Sequence, residues 1–267
     1  DRDALAGSLS QKTLNNALNA TNFMRVSAGL QKLHIHTNDR IGGYQWRAQA
    51  GAALLAELGT ITHNVDGNKA AQAGVSTGVF GWVKAGPGGS NCVAGYGIAN
   101  KMVNSFMPDI GNDRTGLSHR SYILNPGPSG TGFGVANLSG KNKAGDNRGS
   151  AVTMFVTYYG SDPDGLTAVL WPSAKQPTET FQARGTWTMV YPEGNPYQGN
   201  PWSYFINTNA VTVNTAKLKV TLVCEGKQTD VLDLSQLSAT EKSENRVFTI
   251  GSSPLKQLIG FRPHVAY

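Results

Sequence analysis

The sequence predicts an α+β protein in two parts, and three observations carry that prediction. Apolar residues at helical spacing are confined to positions before about residue 125. Two strand-like segments follow, Gly132–Leu138 and Ala151–Tyr159, joined by the Gly-, Asn-, Lys- and Asp-rich run 139–149, which has the chemistry of a hairpin connection. Beyond the turn cluster Ser161-Asp162-Pro163-Asp164-Gly165 the helical period disappears, and polar residues alternate with apolar or β-branched ones. The expected division is therefore 1–165, helices then strands, and 166–267, a small all-β domain of sandwich type.

The elements follow in order. Ser8 and Gln11 have capping-box spacing, and Leu14, Ala17, Leu18, Thr21, Met24 and Ala28 continue at helical spacing until Gly29 ends the helix. Leu33-His34-Ile35-His36 alternates and reads as extended. A second helix opens after Gly42-Gly43, with Trp46, Ala50, Ala53, Leu54 and Leu58 on its apolar stripe and Gly59 at its end. Residues 64–95 are rich in Gly, Asn and Ser and read as one long loop around the apolar run Val79-Phe80-Gly81-Trp82-Val83. Ile98, Met102 and Phe106 mark a third helix that Pro108 stops. In the second part, Thr180–Tyr191, Lys217–Glu225 and Arg246–Ile250 read as strands; Ser235–Ser243 has room for one or two helical turns.

Composition narrows the classes of function. The 267 residues are 39% hydrophobic and only 15% charged, with Gly, Asn, Ser and Thr making up the difference. That balance suits an exported bacterial protein. The net charge of +6 is spread, +4 over 1–165 and +2 beyond, without a basic run or arginine stripe, so nucleic acid is not an expected partner. No apolar run reaches the roughly 18 residues of a membrane helix. The first residues, Asp1-Arg2-Asp3, lack a Met, which fits removal of a signal peptide. Two cysteines, Cys92 and Cys224, are too few for a disulfide scaffold; one cross-domain bridge and two free thiols both remain open.

The most distinctive stretch is Gly116-Leu117-Ser118-His119-Arg120-Ser121-Tyr122-Ile123-Leu124-Asn125-Pro126, followed by Gly130-Thr131-Gly132-Phe133-Gly134-Val135-Ala136. A His-Arg pair enters a short apolar turn, and Asn125-Pro126 ends it because a residue before proline is pushed out of the helical region. The glycines that follow let a strand start close against other backbone. With Asn22-Phe23-Met24-Arg25, Ala28-Gly29-Leu30, Ala48-Gln49-Ala50 and Thr62-His63 upstream, these pieces lie in the order of the CAP superfamily, also called the SCP or cysteine-rich secretory family. The chain resembles that family over roughly residues 8–160. The resemblance implies an α-β-α sandwich, a secreted or cell-surface location and a cleft with two histidines and two glutamates able to hold a divalent metal.

Carried over by position, the cleft histidines are His63 and His119. Tyr96, in Gly95-Tyr96-Gly97-Ile98-Ala99, stands where one glutamate belongs, and Phe106-Met107-Pro108-Asp109 covers the other. Glu57 is the only glutamate in the first 165 residues and lies inside the second helix, so the glutamate pair is missing. Asp109 or Asp113 could supply one carboxylate on a shorter arm. Two imidazoles and one aspartate would make an open three-ligand site, whereas two imidazoles alone hold zinc weakly. No cofactor is expected, with a divalent metal on His63 and His119 as the alternative. Arg120 reads as a structural guanidinium that closes loop carbonyls, and Asn22 and Arg25 read as loop anchors. His34 and His36 read as surface histidines.

Three functions follow. The first is a non-enzymatic protein whose degenerate cleft, lined by His63, His119, Tyr96, Asp109, Asp113 and Arg120, recognises a small apolar molecule, a peptide or a cell-wall component. The second is a hydrolase of peptide or wall polymer using His63 and His119, with Ser118 as a nucleophile, although Ser118 lacks the strained Gly-x-Ser-x-Gly turn. The third is carbohydrate binding by C-terminal aromatics. Trp187, Tyr191, Tyr197, Trp202, Tyr204 and Phe205 fall within 187–205, and Trp202 and Tyr197 are the expected exposed pair.

Overall fold

The structure is a computed structural model. It describes residues 6–37, 43–72, 74–109, 112, 117–138, 149–156, 165–173, 202–206, 212, 219–224, 227–233, 246–249 and 257–261. The fold is mixed α and β with a mixed sheet. Two compact units divide the chain: one holds 1–26, 31–107 and 128–160, the other 27–30, 108–127 and 161–267.

The first unit opens with α1 (Gln11–Ser27). Its cap is Ser10, whose Oγ accepts the Thr13 N–H at 3.2 Å, rather than Ser8. Gly29, at φ 80, follows its end in the left-handed region. Leu14, Ala17, Thr21 and Met24 form the buried stripe. Asn22 and Arg25 anchor the following loop as expected. The Asn22 amide donates to Leu33 O at 2.9 Å and accepts from Leu33 N at 2.7 Å, and Arg25 Nε donates to Gln31 O at 2.9 Å.

That loop delivers β1 (His34–Ile35), which pairs in parallel with the start of β3 (Gly130–Asn137). β3 runs antiparallel to β4 (Ser150–Phe155), and β4 to β2 (Ser90–Gly95), giving the order β1-β3-β4-β2. α2 (Tyr44–Leu58) packs on β3 and β4. Gly132 and Gly134 make this approach possible, because a Cβ at either would collide with α2 backbone around Tyr44 and Ala48. Gln45 and Gln49, one turn apart, each pair a side-chain amide with one β3 residue. Gln45 Nε2 donates to Phe133 O at 2.7 Å and its Oε1 accepts from Phe133 N at 2.9 Å; Gln49 does the same with Val135 at 3.1 Å in both directions. The spacings match, since four helical residues rise about 6.0 Å and two strand residues about 6.6 Å.

Residues 64–95 are not one long loop. They hold α3 (Gly67–Gln72), α4 (Thr77–Gly88) and β2. α4 packs on α2 with Gly86 facing Gly51, and Val79, Val83 and Ala70 join Leu54, Leu55 and Val65 in the core. Burial of this apolar face offsets the helix penalty of the glycines, about 1 kcal/mol each. Cys92, in β2, lies in the same core as a free thiol. The third helix begins as α5 (Ile98–Lys101) and continues as a π-type segment, Met102–Phe106, with Ile98, Met102 and Phe106 all buried.

In the second unit, α6 (Ser118–Ile123) is the turn that carries the His-Arg pair. The described elements after residue 165 are all strands: β5 (Ala168–Trp171), β6 (Trp202–Ile206), β7 (Lys219–Cys224), β8 (Lys227–Asp233), β9 (Arg246–Thr249) and β10 (Gln257–Phe261). They form a four-stranded sheet, β5-β6-β10-β9, and a two-stranded ribbon, β7-β8. The strand expected over Thr180–Tyr191 and the helical turns over Ser235–Ser243 lie outside the described residues. Among the described residues no helix is long and apolar enough to cross a membrane.

Candidate functional site

The His119 corner is built on a helix that cannot cap itself. The residue before α6 is Leu117, apolar and in the left-handed region at φ 49, so α6 has no side-chain cap of its own. Asp109 fills that role from upstream: its Oδ2 accepts the backbone N–H of Arg120 at 3.2 Å, the third position of the helix. Asp109 is itself left-handed, at φ 53, and its side chain is fully buried. That combination costs strain and desolvation, which the hydrogen bonds it receives must offset.

Asp109 Oδ1 receives two donors. It lies 2.8 Å from His119 Nδ1 and 2.8 Å from Asn112 Nδ2. His119 Nδ1 and Asn112 Nδ2 are in turn 2.9 Å apart. A carboxylate oxygen accepts and does not donate, so at 2.8 Å the imidazole must carry its proton on Nδ1. The 2.9 Å separation then reflects two donors converging on one oxygen, not a bond between them. His119 is thus held with a proton on Nδ1, on a side chain 18% exposed.

Arg120 is fully buried and structural, as expected. It donates from Nη2 to Pro108 O at 3.1 Å and from Nη1 to Ser203 Oγ on β6 at 3.2 Å. One guanidinium therefore fastens the corner to the C-terminal sheet within the second unit. Ser118 is partly exposed on α6, and its carbonyl accepts the Ser121 hydroxyl at 2.7 Å.

The other candidates are placed as follows. His63 belongs to the first unit, is exposed, and donates from Nδ1 to Pro87 O at 2.9 Å. Tyr96, also in the first unit, is 69% exposed on the turn after β2, with its ring against Gly149. Glu57 is exposed on α2. Trp202 begins β6 opposite Phe261. Asp113 and Tyr197 lie outside the described residues. The structure thus brings together His119, Asp109 and Arg120 of the expected set. It adds Asn112 and Ser203, which the sequence reading missed. The Asp109-x-x-Asn112 spacing was a usable signal for the first; Ser203 had none.

His34 and His36 correct the surface reading in one half. His34 is exposed, but the His36 ring sits 4.5 Å from the Tyr44 ring, and its Nδ1 is buried. Among the described residues no group of three His, Cys, Asp or Glu side chains could hold a metal ion. Comparisons with protein-family models, with curated proteins and with solved structures find no match to this chain.

Proposed function

We propose that the chain is a secreted bacterial protein of the CAP type. On this reading residues 1–165 form an α-β-α sandwich and 166–267 a small β-sandwich-like domain. Its role is to recognise a small apolar molecule, a peptide or a cell-wall component, not to turn it over. One observation carries the reading: both oxygens of Asp109 are committed to Arg120, Asn112 and His119, so this carboxylate acts as a fastener and not as a metal ligand. His119, with its side chain 18% exposed, is the polar ring that this corner presents beside the committed carboxylate.

The test is a thermal-shift titration with Zn²⁺ and Mg²⁺, run beside ligand-detected NMR on soluble wall fragments and peptides. The expected result is a melting temperature moved by less than about 1 °C by either metal, and fragment signals that disappear in His119→Ala. A Zn²⁺-induced rise that is lost in His119→Ala overturns the reading.

A hydrolytic reading draws on the same pair, because an imidazole oriented through Nδ1–H by a buried carboxylate is the arrangement a general base needs. Its nucleophile would be Ser118, whose neighbour His119 projects about 100° away around the helix. Turnover of peptidoglycan or a peptide library that is lost in His119→Ala favours it.

A further inference from the structure

His34 and His36 take no part in the function proposed above, yet the fold brings them together in the first unit. Both backbone N–H groups bond to the β3 side of the sheet: His34 N donates to Ser129 O and His36 N to Thr131 O, each at 2.9 Å. Alternate residues of an extended segment project to one face. The two imidazoles therefore share a side of the sheet, with ring centres 6.3 Å apart. Gly130 is paired with His34. A Cβ added at Gly130 would stand 3.4 Å from His34 Nε2 and 3.4 Å from His36 Cβ. Its backbone is not in the left-handed region, so conformation does not demand glycine there. What the missing side chain leaves is room between the two rings.

The two rings are also uncommitted. His63 and His119 each tie Nδ1 to a protein oxygen, Pro87 O at 2.9 Å and Asp109 Oδ1 at 2.8 Å. Among the described residues no ring nitrogen of His34 or His36 has a hydrogen-bond partner, and His36 Nδ1 is buried without one. Buried polar atoms are ordinarily paired, so an imidazole left over in this way points to a group that the polypeptide does not supply. The Tyr44 ring, 4.5 Å away, holds the His36 ring in place, whereas His34 is exposed and can turn.

We propose that His34 and His36 together bind a copper(II) ion above Gly130, with one ring nitrogen from each and water in the remaining positions. A metal–imidazole bond of about 2 Å puts the ion about 3 Å from a ring centre, so two rings on one ion have centres about 4.5–6 Å apart. The observed 6.3 Å therefore needs a closing movement of less than about 2 Å, which rotation of the exposed His34 ring supplies. Among the described residues no third His, Cys, Asp or Glu joins the pair. That donor set selects the ion. Two imidazoles alone hold zinc weakly, whereas copper(II) stands highest in the divalent series, favours imidazole and accepts a tetragonal site of nitrogen and oxygen ligands. The site uses none of the residues of the His119 corner and stands or falls separately from the function proposed above.

The experiment is a titration of the full chain with copper(II) chloride at about pH 7.5, where imidazoles are neutral, followed by calorimetry and by electron paramagnetic resonance. Saturable binding of one ion per chain in the micromolar range is expected, with a tetragonal copper spectrum coupled to imidazole nitrogen. His34→Ala, a change at an exposed ring that leaves the fold intact, should weaken it about tenfold or more. His36→Ala should do the same, and His63→Ala and His119→Ala should leave it unchanged. Absence of saturable copper binding, undiminished binding in His34→Ala, or loss in His63→Ala or His119→Ala each overturns the proposal. The His34→Ala result decides the matter even where His36→Ala fails to fold.

Discussion

The contact between α2 and α4 makes a sharp prediction, because two glycines of α4 should respond to the same substitution with opposite sign. A Cβ added at Gly86 would lie 2.8 Å from Gly51 Cα and 3.0 Å from Gly51 N, and would also collide with Arg47 O, whereas ordinary contact starts at about 3.4 Å. Every neighbour is backbone, so no side chain can rotate away and the two helices must separate. Overpacking of this kind costs about 1–3 kcal/mol and more against rigid backbone. Helix propensity returns about 1 kcal/mol for Gly→Ala. Gly86→Ala should therefore destabilise by about 2 kcal/mol or more. Gly81 has nothing within 4 Å of its would-be Cβ. Gly81→Ala should gain about 0.5–1 kcal/mol and nothing else. Urea unfolding followed by circular dichroism at 222 nm reads both values on one protein. Two equally stabilising substitutions would refute the close crossing, and with it the placement of Arg47 beside Trp82, which depends on the same contact.

Two further outcomes test the core and the corner. Asp109→Asn keeps a residue that tolerates the left-handed backbone, but its amide can present only one acceptor. Either the Arg120 N–H or the donor pair from His119 and Asn112 then faces an NH₂, at a cost of about 1–3 kcal/mol by urea unfolding. Nitrogen-15 NMR of the imidazole should report the Nδ1–H tautomer for His119 in the wild type and its loss in the variant; an Nε2–H wild type refutes the assignment. Burial pushes the Cys92 thiol up to about 12 from its ordinary 9.0. The folded chain therefore holds that proton more tightly than the unfolded one. The stabilisation is complete below pH 9, shrinks as pH rises, and is gone above about pH 12. By about pH 10.5 it should have fallen by about 2 kcal/mol, a decline that Cys92→Ala flattens in urea titrations run at several pH values.

Much of the fold was legible where a local signal was strong. The apolar stripes of α1 and α2, the stops at Gly29 and Gly59, and the glycine-spaced strand at 130–137 follow from short-range rules. α4 was missed because glycine has two uses that look alike in sequence. Gly78 and Gly81 sit in open space, as loop glycines do, but Gly51 and Gly86 are small because another backbone presses on them. Only the folded partner distinguishes the cases. β2 was hidden by the same glycine-rich surroundings. At the corner, His119 and Arg120 stood out as residue types, while the coupling to Asp109 depends on a left-handed turn that composition does not announce. The contacts of the Arg47 guanidinium with Trp82 and Phe155 gave no sequence signal, because they depend on α2 meeting α4 and β4.

The paired amides of Gln45 and Gln49 have a consequence for how copies of this protein coexist. β1 is only two residues long, so most of that flank of β3 would otherwise present bare peptide groups. Such a border is where foreign strands add on and aggregates grow. Two glutamine side chains occupy the outward groups of Phe133 and Val135 as a neighbouring strand would. A glutamine belongs to its own helix and offers nothing for a further chain to zip onto. The sheet is thus finished on that flank by a helix imitating a strand, and growth from molecule to molecule is blocked there without any added charge or proline.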